Sequence, residues 1–201
     1  YSLDSIDIKY SDNKLLFKSS NIESGEYLEF ASKITDSNIF IEHIKGRINN
    51  TDISTNNISI VKESDKYRTS DIELFIEEGS LKSSEIEFEN IDNYALKVLA
   101  NNIDLSDIDK IMFLKNRYSG ILNGDIYISQ NNSEPFIVTD LYIKNSGFDD
   151  FKYAQTAFHA SLKKQIITID KFASNNDTSS FNISGFIELN NDLQLSPYDN
   201  V

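Results

Sequence analysis

Cysteine and tryptophan are absent from this 201-residue chain, and histidine, proline, glycine and methionine number only two, two, seven and one. With no cysteine, and with His43 and His159 far apart in strand-like runs, a zinc site has almost no ligands to draw on. Each histidine reads instead as an ordinary strand residue with a partnered ring. The lack of thiols suits an oxidising compartment and many reducing ones equally. Without tryptophan there is no obvious sugar-stacking platform, so the many neighbouring carboxylates give no positive sign of a glycosidase. No apolar run approaches the ~20 residues of a membrane-spanning helix. No leader segment is recognisable either, and an opening on Tyr1 leads us to expect a segment of a longer protein, with any anchor outside it.

Basic residues are also few: 19 Lys and Arg face 32 Asp and Glu, for a net charge of -13. That sign opposes both nucleic-acid phosphates and anionic lipid headgroups. The acids are dispersed among apolar residues, as in Glu85-Ile86-Glu87-Phe88-Glu89, which is the pattern of a solvated strand face.

Several strings imitate known chemistry and fail on context. Ser11-Asp12-Asn13-Lys14 holds both Ser-x-x-Lys and Ser-Asp-Asn, yet the two overlap in a turn instead of opening a helix and occupying separate elements. Asp104, Asp107 and Asp109 lack the central glycine and terminal glutamate of a calcium loop, and helix capping accounts for them. Gly120 to Gly124 lacks the Lys-Ser/Thr ending of a phosphate loop and leads into a strand. Asn-x-Ser strings at Asn57 and Asn182 are expected by chance in so Asn- and Ser-rich a chain. The sequence therefore points away from an enzyme, a metal site or a cofactor.

What is present is alternation. Apolar residues recur at every second position in Ile72, Leu74 and Ile76; in Ile86 and Phe88; in Leu122, Ile126 and Ile128; and in Ile137, Leu141 and Ile143. The pattern continues through Phe158 and Leu162, Ile167 and Ile169, and Phe181, Ile183, Ile187 and Leu189. Weaker sets occur at Ile6, Ile8 and Tyr10, at Leu28, Phe30 and Ile34, and at Ile58 and Ile60. A period of two means strands with one apolar and one wet face. Polar breaks such as Asn49-Asn50-Thr51 and Glu77-Glu78-Gly79-Ser80 supply hairpin turns, so an antiparallel meander is expected. One stretch departs from this: Ser106 to Leu114 has a serine cap, an acidic first turn and apolar residues at helical spacing. A short helix over 106–116 would then separate strands in 1–105 from strands in 117–201 on one continuous sheet.

The second half also resembles a family. Ile108, Ile111 and Leu114 of the helix, Tyr118-Ser-Gly120-Ile-Leu-Asn-Gly124-Asp-Ile-Tyr-Ile, Glu134-Pro135-Phe136-Ile137-Val138, Leu141-Tyr-Ile143, Ile166 to Asp170 and Ser184-Gly185-Phe-Ile-Glu-Leu189 are similar in order to the AsmA-like superfamily, TamB type. The resemblance covers a little under half of the chain, lacks a glycine in the turn before Pro135, and lacks another near Asp140. It implies an all-β meander curled into an elongated open groove. It also implies a periplasmic, cell-envelope setting with an inner-membrane anchor elsewhere in the parent chain. The implied activity is conduction of phospholipid acyl chains between inner and outer membranes, with an outer-membrane β-barrel as partner in protein assembly. The apolar sets from Ile72 to Leu189 named above would line that groove. Alternation alone fits two other architectures: a structural or adhesive β-sandwich, and a closed barrel holding one hydrophobe.

Overall fold

A computed structural model describes residues 4–64, 66–84, 86–90, 93–113, 117–131, 134–176 and 178–189. The first half forms strands β1 (Ser5–Ser11), β2 (Lys14–Asn21), β3 (Glu26–Ile34), β4 (Asn38–Ile48), β5 (Thr51–Thr55), β6 (Ile58–Glu63), β7 (Lys66–Thr69), β8 (Ile72–Ile76), β9 (Gly79–Ser83), β10 (Glu87–Asn90) and β11 (Asn93–Asp104). After helix α1 (Leu105–Ile111) come β12 (Tyr118–Asn131), β13 (Glu134–Phe148), β14 (Phe151–Lys152), β15 (Gln155–Lys163), β16 (Ile166–Asn175) and β17 (Ser180–Glu188). All seventeen described strands belong to one antiparallel sheet.

These segments make thirteen lanes, because β5 and β6, β7 and β8, β9 and β10, and β14 and β15 are collinear pairs. Each lane pairs with the one before it in the chain. Among the described residues β1 pairs only with β2 and β17 only with β16, so the described sheet is open at both edges. At a spacing of ~4.8 Å, thirteen lanes extend roughly 60 Å across the strands. Both edge strands begin on the side of the sheet where α1 sits, here called the helical lip, and run toward the opposite lip.

The hairpins bend on asparagine and aspartate, not glycine. Asp12 and Asn13, and Asn49 and Asn50, all have positive φ (49–64°), the geometry of a type I′ turn. Their short polar side chains tolerate this region better than other L-residues do.

Breaks within the lanes curl the sheet. β4 has an irregularity at Glu42, β5 gives way to β6 at Asn56-Asn57, β7 to β8 at Ser70-Asp71, and β16 carries an extra residue near Asp170. The first three lie at one level on adjacent lanes, where side chains replace ladder bonds. Asn56 Oδ1 accepts from the Glu73 amide (2.8 Å), Asn56 Nδ2 donates to the Asp71 carbonyl (3.0 Å), and the Ser59 amide donates to Ser70 Oγ (3.0 Å). On β4 the Ile44 amide donates to Thr55 Oγ1 (3.1 Å). Bulges bend and twist a strand, so a row of them makes a crease and gives the trough its curvature.

The helix is shorter than the sequence implies and is capped differently. Asp104, not Ser106, is the cap: its carboxylate accepts from the Ser106 amide at 2.8 Å. An acceptor two positions earlier starts the helix at Leu105, and Met112 and Phe113 follow it as exposed turn residues. Leu114 lies outside the described residues. Ile108 and Ile111 pack on Ile76, Ala100 and Ile103, the small core at the helical lip, where Ile103 is 1% exposed. Gly79 sits against this core so closely that a Cβ would meet the Asn102 carbonyl and the Ile103 Cα. Asp109, also 1% exposed, accepts from the Tyr118 amide (2.8 Å), and Asn49 Nδ2 donates to the Lys110 carbonyl (3.1 Å).

Ion pairs organise the outer face. Glu29 receives Lys18 and His43 (both 2.8 Å) and Lys45 (3.5 Å), and the hydrogen bonds from Lys18 and then His43 hold its carboxyl at about 2, below the usual 4.5. A depressed carboxylate stabilises the fold fully above its unfolded value and stops doing so as pH falls through the folded value. Urea midpoints of wild type and Glu29→Gln are thus expected to differ most above pH 5 and to converge as pH falls from 4.5 toward 2. A gap that stays constant over that range would exclude this role. Asn56→Ala removes two crease bonds and is expected to cost about 1–3 kcal/mol in the same denaturation assay.

Candidate functional site

Residues opposite one another in an antiparallel pair point to the same face, so the register can be followed across the sheet. Ile126 lies between Val98 and Thr139, Ile128 between Leu96 and Ile137, and Leu122 between Ile103 and Ile143. Outward from there, Leu141 pairs with Phe158 and Ile137 with Leu162. Phe158 then meets Phe172, Ala160 meets Ile169, and Leu162 meets Ile167. Phe181, Ile183 and Ile187 complete that side opposite Ser174, Phe172 and Ile167.

In the other direction Ala100 and Val98 meet Leu81 and Ser83, which pair with Leu74 and Ile72, and Ile76 pairs with Ile53. Phe88 falls between Tyr67 and Tyr94. Ile86 and Leu189 join the same face by alternation from Phe88 and Ile187. Ile53 continues through Gly46 to Leu28, and Phe30, Phe17 and Ile8 carry the face to the edge. All the apolar residues singled out from Ile72 to Leu189 therefore share one face, the trough side.

Other members of this face were not identified from the sequence: Phe17, Ile39, Ile41, Ile44, Leu96, Val98 and Phe172 among them. For Ile44 and Phe172 the signal is a slip of phase. β4 runs Ile39, Ile41 and then Ile44, Gly46 and Ile48, and β16 runs Ile167, Ile169 and then Phe172 and Ser174. Each switch from odd to even positions marks a bulge that keeps the apolar side chains together.

The trough side is not the inside of a packed core. Among the described residues only Ile58, Ile76, Ala100, Ile103 and Ala160 on this face are buried apolar residues, while Ala31 and Ala157 are on the outer face. Most of the face is half-buried, and at the edges Ile8 is 64% and Ile183 51% exposed. The chain exposes 13436 Å², against roughly 9,600 Å² expected of a compact protein of its mass. One open sheet, with no second sheet over its apolar side among the described residues, is thus neither a two-layer sandwich nor a closed barrel.

Charge on the trough side is confined to its lips among the described paired strands. Glu26 accepts from the Asn49 amide (2.8 Å) and from Ser24 Oγ (3.1 Å), and Lys62 lies over the Tyr67 ring at 5.8 Å. Tyr67 in turn stacks on Phe88, with ring centroids 5.4 Å apart. The outer face carries the opposite chemistry, with cross-strand pairs such as Lys97–Asp125 (3.3 Å) and Arg47–Asp52 (2.6 Å). Both histidines are there, at 2.8 Å from Glu29 and 3.0 Å from Asp140, each beside a carboxylate and far from the other. Among the described residues no group of His, Asp and Glu is arranged to hold a metal ion.

Comparison with protein-family models, with curated proteins and with solved structures gives no match.

Because the chain has no cysteine, single-cysteine variants report cleanly on each face. In Ile126→Cys the thiol is expected to react with bimane maleimide without denaturant and to give a blue-shifted emission. Asp125→Cys, one position away, should react as readily and emit as in water. Reaction at position 126 only after unfolding would mean that the face is packed shut.

Proposed function

We propose that this chain is a non-enzymatic section of a bridge-like lipid transport protein of the cell envelope. In this reading its trough conducts phospholipid acyl chains between inner and outer membranes. The observation that carries the reading is the unbroken apolar face across the whole sheet, open along its length and charged only at its lips.

The energetics favour such a surface for this cargo. Each methylene taken out of water is worth ~0.8 kcal/mol, so a 16-carbon chain crossing water unaided meets a barrier on the order of 10 kcal/mol. An apolar floor lowers that barrier most if it is continuous, because any lane of charged residues would restore it locally. The acyl tail lies in the trough while the headgroup stays in solvent, so transport needs no cofactor and no headgroup-specific residue. The acidic outer face keeps the open sheet soluble and repels anionic membrane surfaces, leaving contact with membranes to the lips and the ends. The family resemblance of the second half supports the same reading, and with it a periplasmic location, an inner-membrane anchor elsewhere in the parent chain and an outer-membrane β-barrel partner. A structural or adhesive module would bury this face under a second sheet, and no observation favours that.

The test is photocrosslinking in cells of the parent protein, with a photoreactive residue at position 126, 143 or 183. Adducts with phospholipid are expected from all three, and none from 125, 142 or 182, whose native residues Asp125, Tyr142 and Asn182 point to the outer face. Adducts from the outer positions, or from neither set, would refute the conduit.

A further inference from the structure

We infer that the trough holds one discrete seat for the tail of a single acyl chain: the aromatic cavity of about 510 Å³ at the helical lip, between α1 and strands β13, β15, β16 and β17. This rests on the lipid-trough reading and adds to it a place where cargo halts. The floor of the cavity is the trough itself, through Leu141, Phe158 and Phe172, so a chain sliding along the apolar face enters it without crossing water. What distinguishes it from the rest of the trough is that its walls rise above the floor strands. Leu105 of α1 lines one side, and Phe148 and Phe151, which flank the turn between β13 and β14, line the other.

The walls are rigid. Phe158, Phe172, Phe181 and Tyr153 meet in succession edge to face, at centroid separations of 5.8, 5.1 and 5.5 Å and interplanar angles of 85°, 70° and 85°. Such interlocked rings cannot collapse into the space between them without losing their own favourable contacts. The volume is in the usual range for a small-molecule site, ~300–1,000 Å³. That is room for the end of an aliphatic chain.

The polar groups in its wall say which part of a lipid it takes. Ser174 Oγ donates to the Gln155 carbonyl (3.0 Å), so the 2.7 Å contact between Thr156 and Ser174 must use the threonine hydrogen. The 2.6 Å contact between Ser146 and Thr156 must then use the serine hydrogen. Each hydroxyl has one hydrogen, and all three are taken. None of these three is left to donate to a phosphate or carboxylate, the other polar side chains of the wall are the neutral hydroxyls of Tyr118, Ser119 and Tyr153, and no charged side chain lines the cavity. An anionic headgroup would find no cation to pair with there, whereas an aliphatic tail requires none.

The test titrates the purified full chain with dansyl-labelled undecanoic acid. Saturation is expected at about one probe per chain. Leu141→Trp, which fills the cavity, and Phe151→Asp, which puts a charge at its mouth, are each expected to weaken binding by about tenfold, the effect of 1–3 kcal/mol of misfit. Asp125→Trp, on the outer face, should leave affinity within about twofold. Phe151 is 65% exposed, so its variant folds even if Leu141→Trp does not, which a thermal melt checks. Several equivalent probes per chain, or one whose affinity neither variant changes, would overturn the seat and leave the trough reading intact. No probe bound, with no lipid adduct at position 126, would overturn both.

Discussion

A β-strand turns every second side chain to the same side, so one extra residue in a lane exposes the rest of its apolar set to the wrong face. This parity constraint governs the whole structure, because thirteen lanes must agree on one trough side with no second layer to enforce it. The chain meets the constraint by placing a bulge wherever its alternation slips. In β4 the slip is absorbed at Glu42, in β16 near Asp170, and in β11 around Asn102, whose φ is +53° and whose amide donates to Asn123 Oδ1. The same bulges that restore parity also bend the lanes. Curvature and sidedness therefore have one cause, and the polar residues that seem to interrupt the strands are what allow the apolar face to be continuous.

Much of this was legible in the sequence, since alternation such as Ile72, Leu74 and Ile76 or Ile126 and Ile128 needs only a register to become a face. The turns were legible for a related reason: Asp12-Asn13 and Asn49-Asn50 are among the few L-residue pairs that accept positive φ. The helix was placed correctly but bounded wrongly, because Asp104 and Ser106 are both good capping residues and only the fold decides which carboxyl or hydroxyl reaches an amide. Phe172 and Ile44 were missed because a fixed period of two cannot be extended past a bulge. The aromatic cavity was hidden for a different reason. Leu105, Phe151 and Phe181 come from a helix, a turn and an edge strand, and nothing local in the sequence places them together.

The two faces divide the work of an open sheet. Ion pairs such as those of Glu29 tie neighbouring lanes together from outside, where salt and pH tune them, and among the described paired strands they leave the trough side free of charge except at Glu26 and Lys62. Such a surface is slippery to hydrocarbon in one dimension, with the Ser83, Ser146, Thr156 and Ser174 hydroxyls turned to backbone or to one another. Only near α1 does the shape become three-dimensional. There the helix, fixed by Asp109 on one strand and Asn49 on a distant turn, gives the trough a side wall.

An odd number of lanes has a geometric consequence at the ends. Because β1 and β17 run in the same direction, a copy of this sheet set end to end in the same orientation would have to offer a parallel strand to an otherwise antiparallel ladder. An antiparallel strand fits either edge without that change, whether it comes from neighbouring chain or from a copy turned by half a revolution about an axis through the sheet. The trough can therefore be lengthened by single strands, or doubled about a two-fold axis, but repeating it as a polar filament would break its hydrogen-bond pattern at every joint.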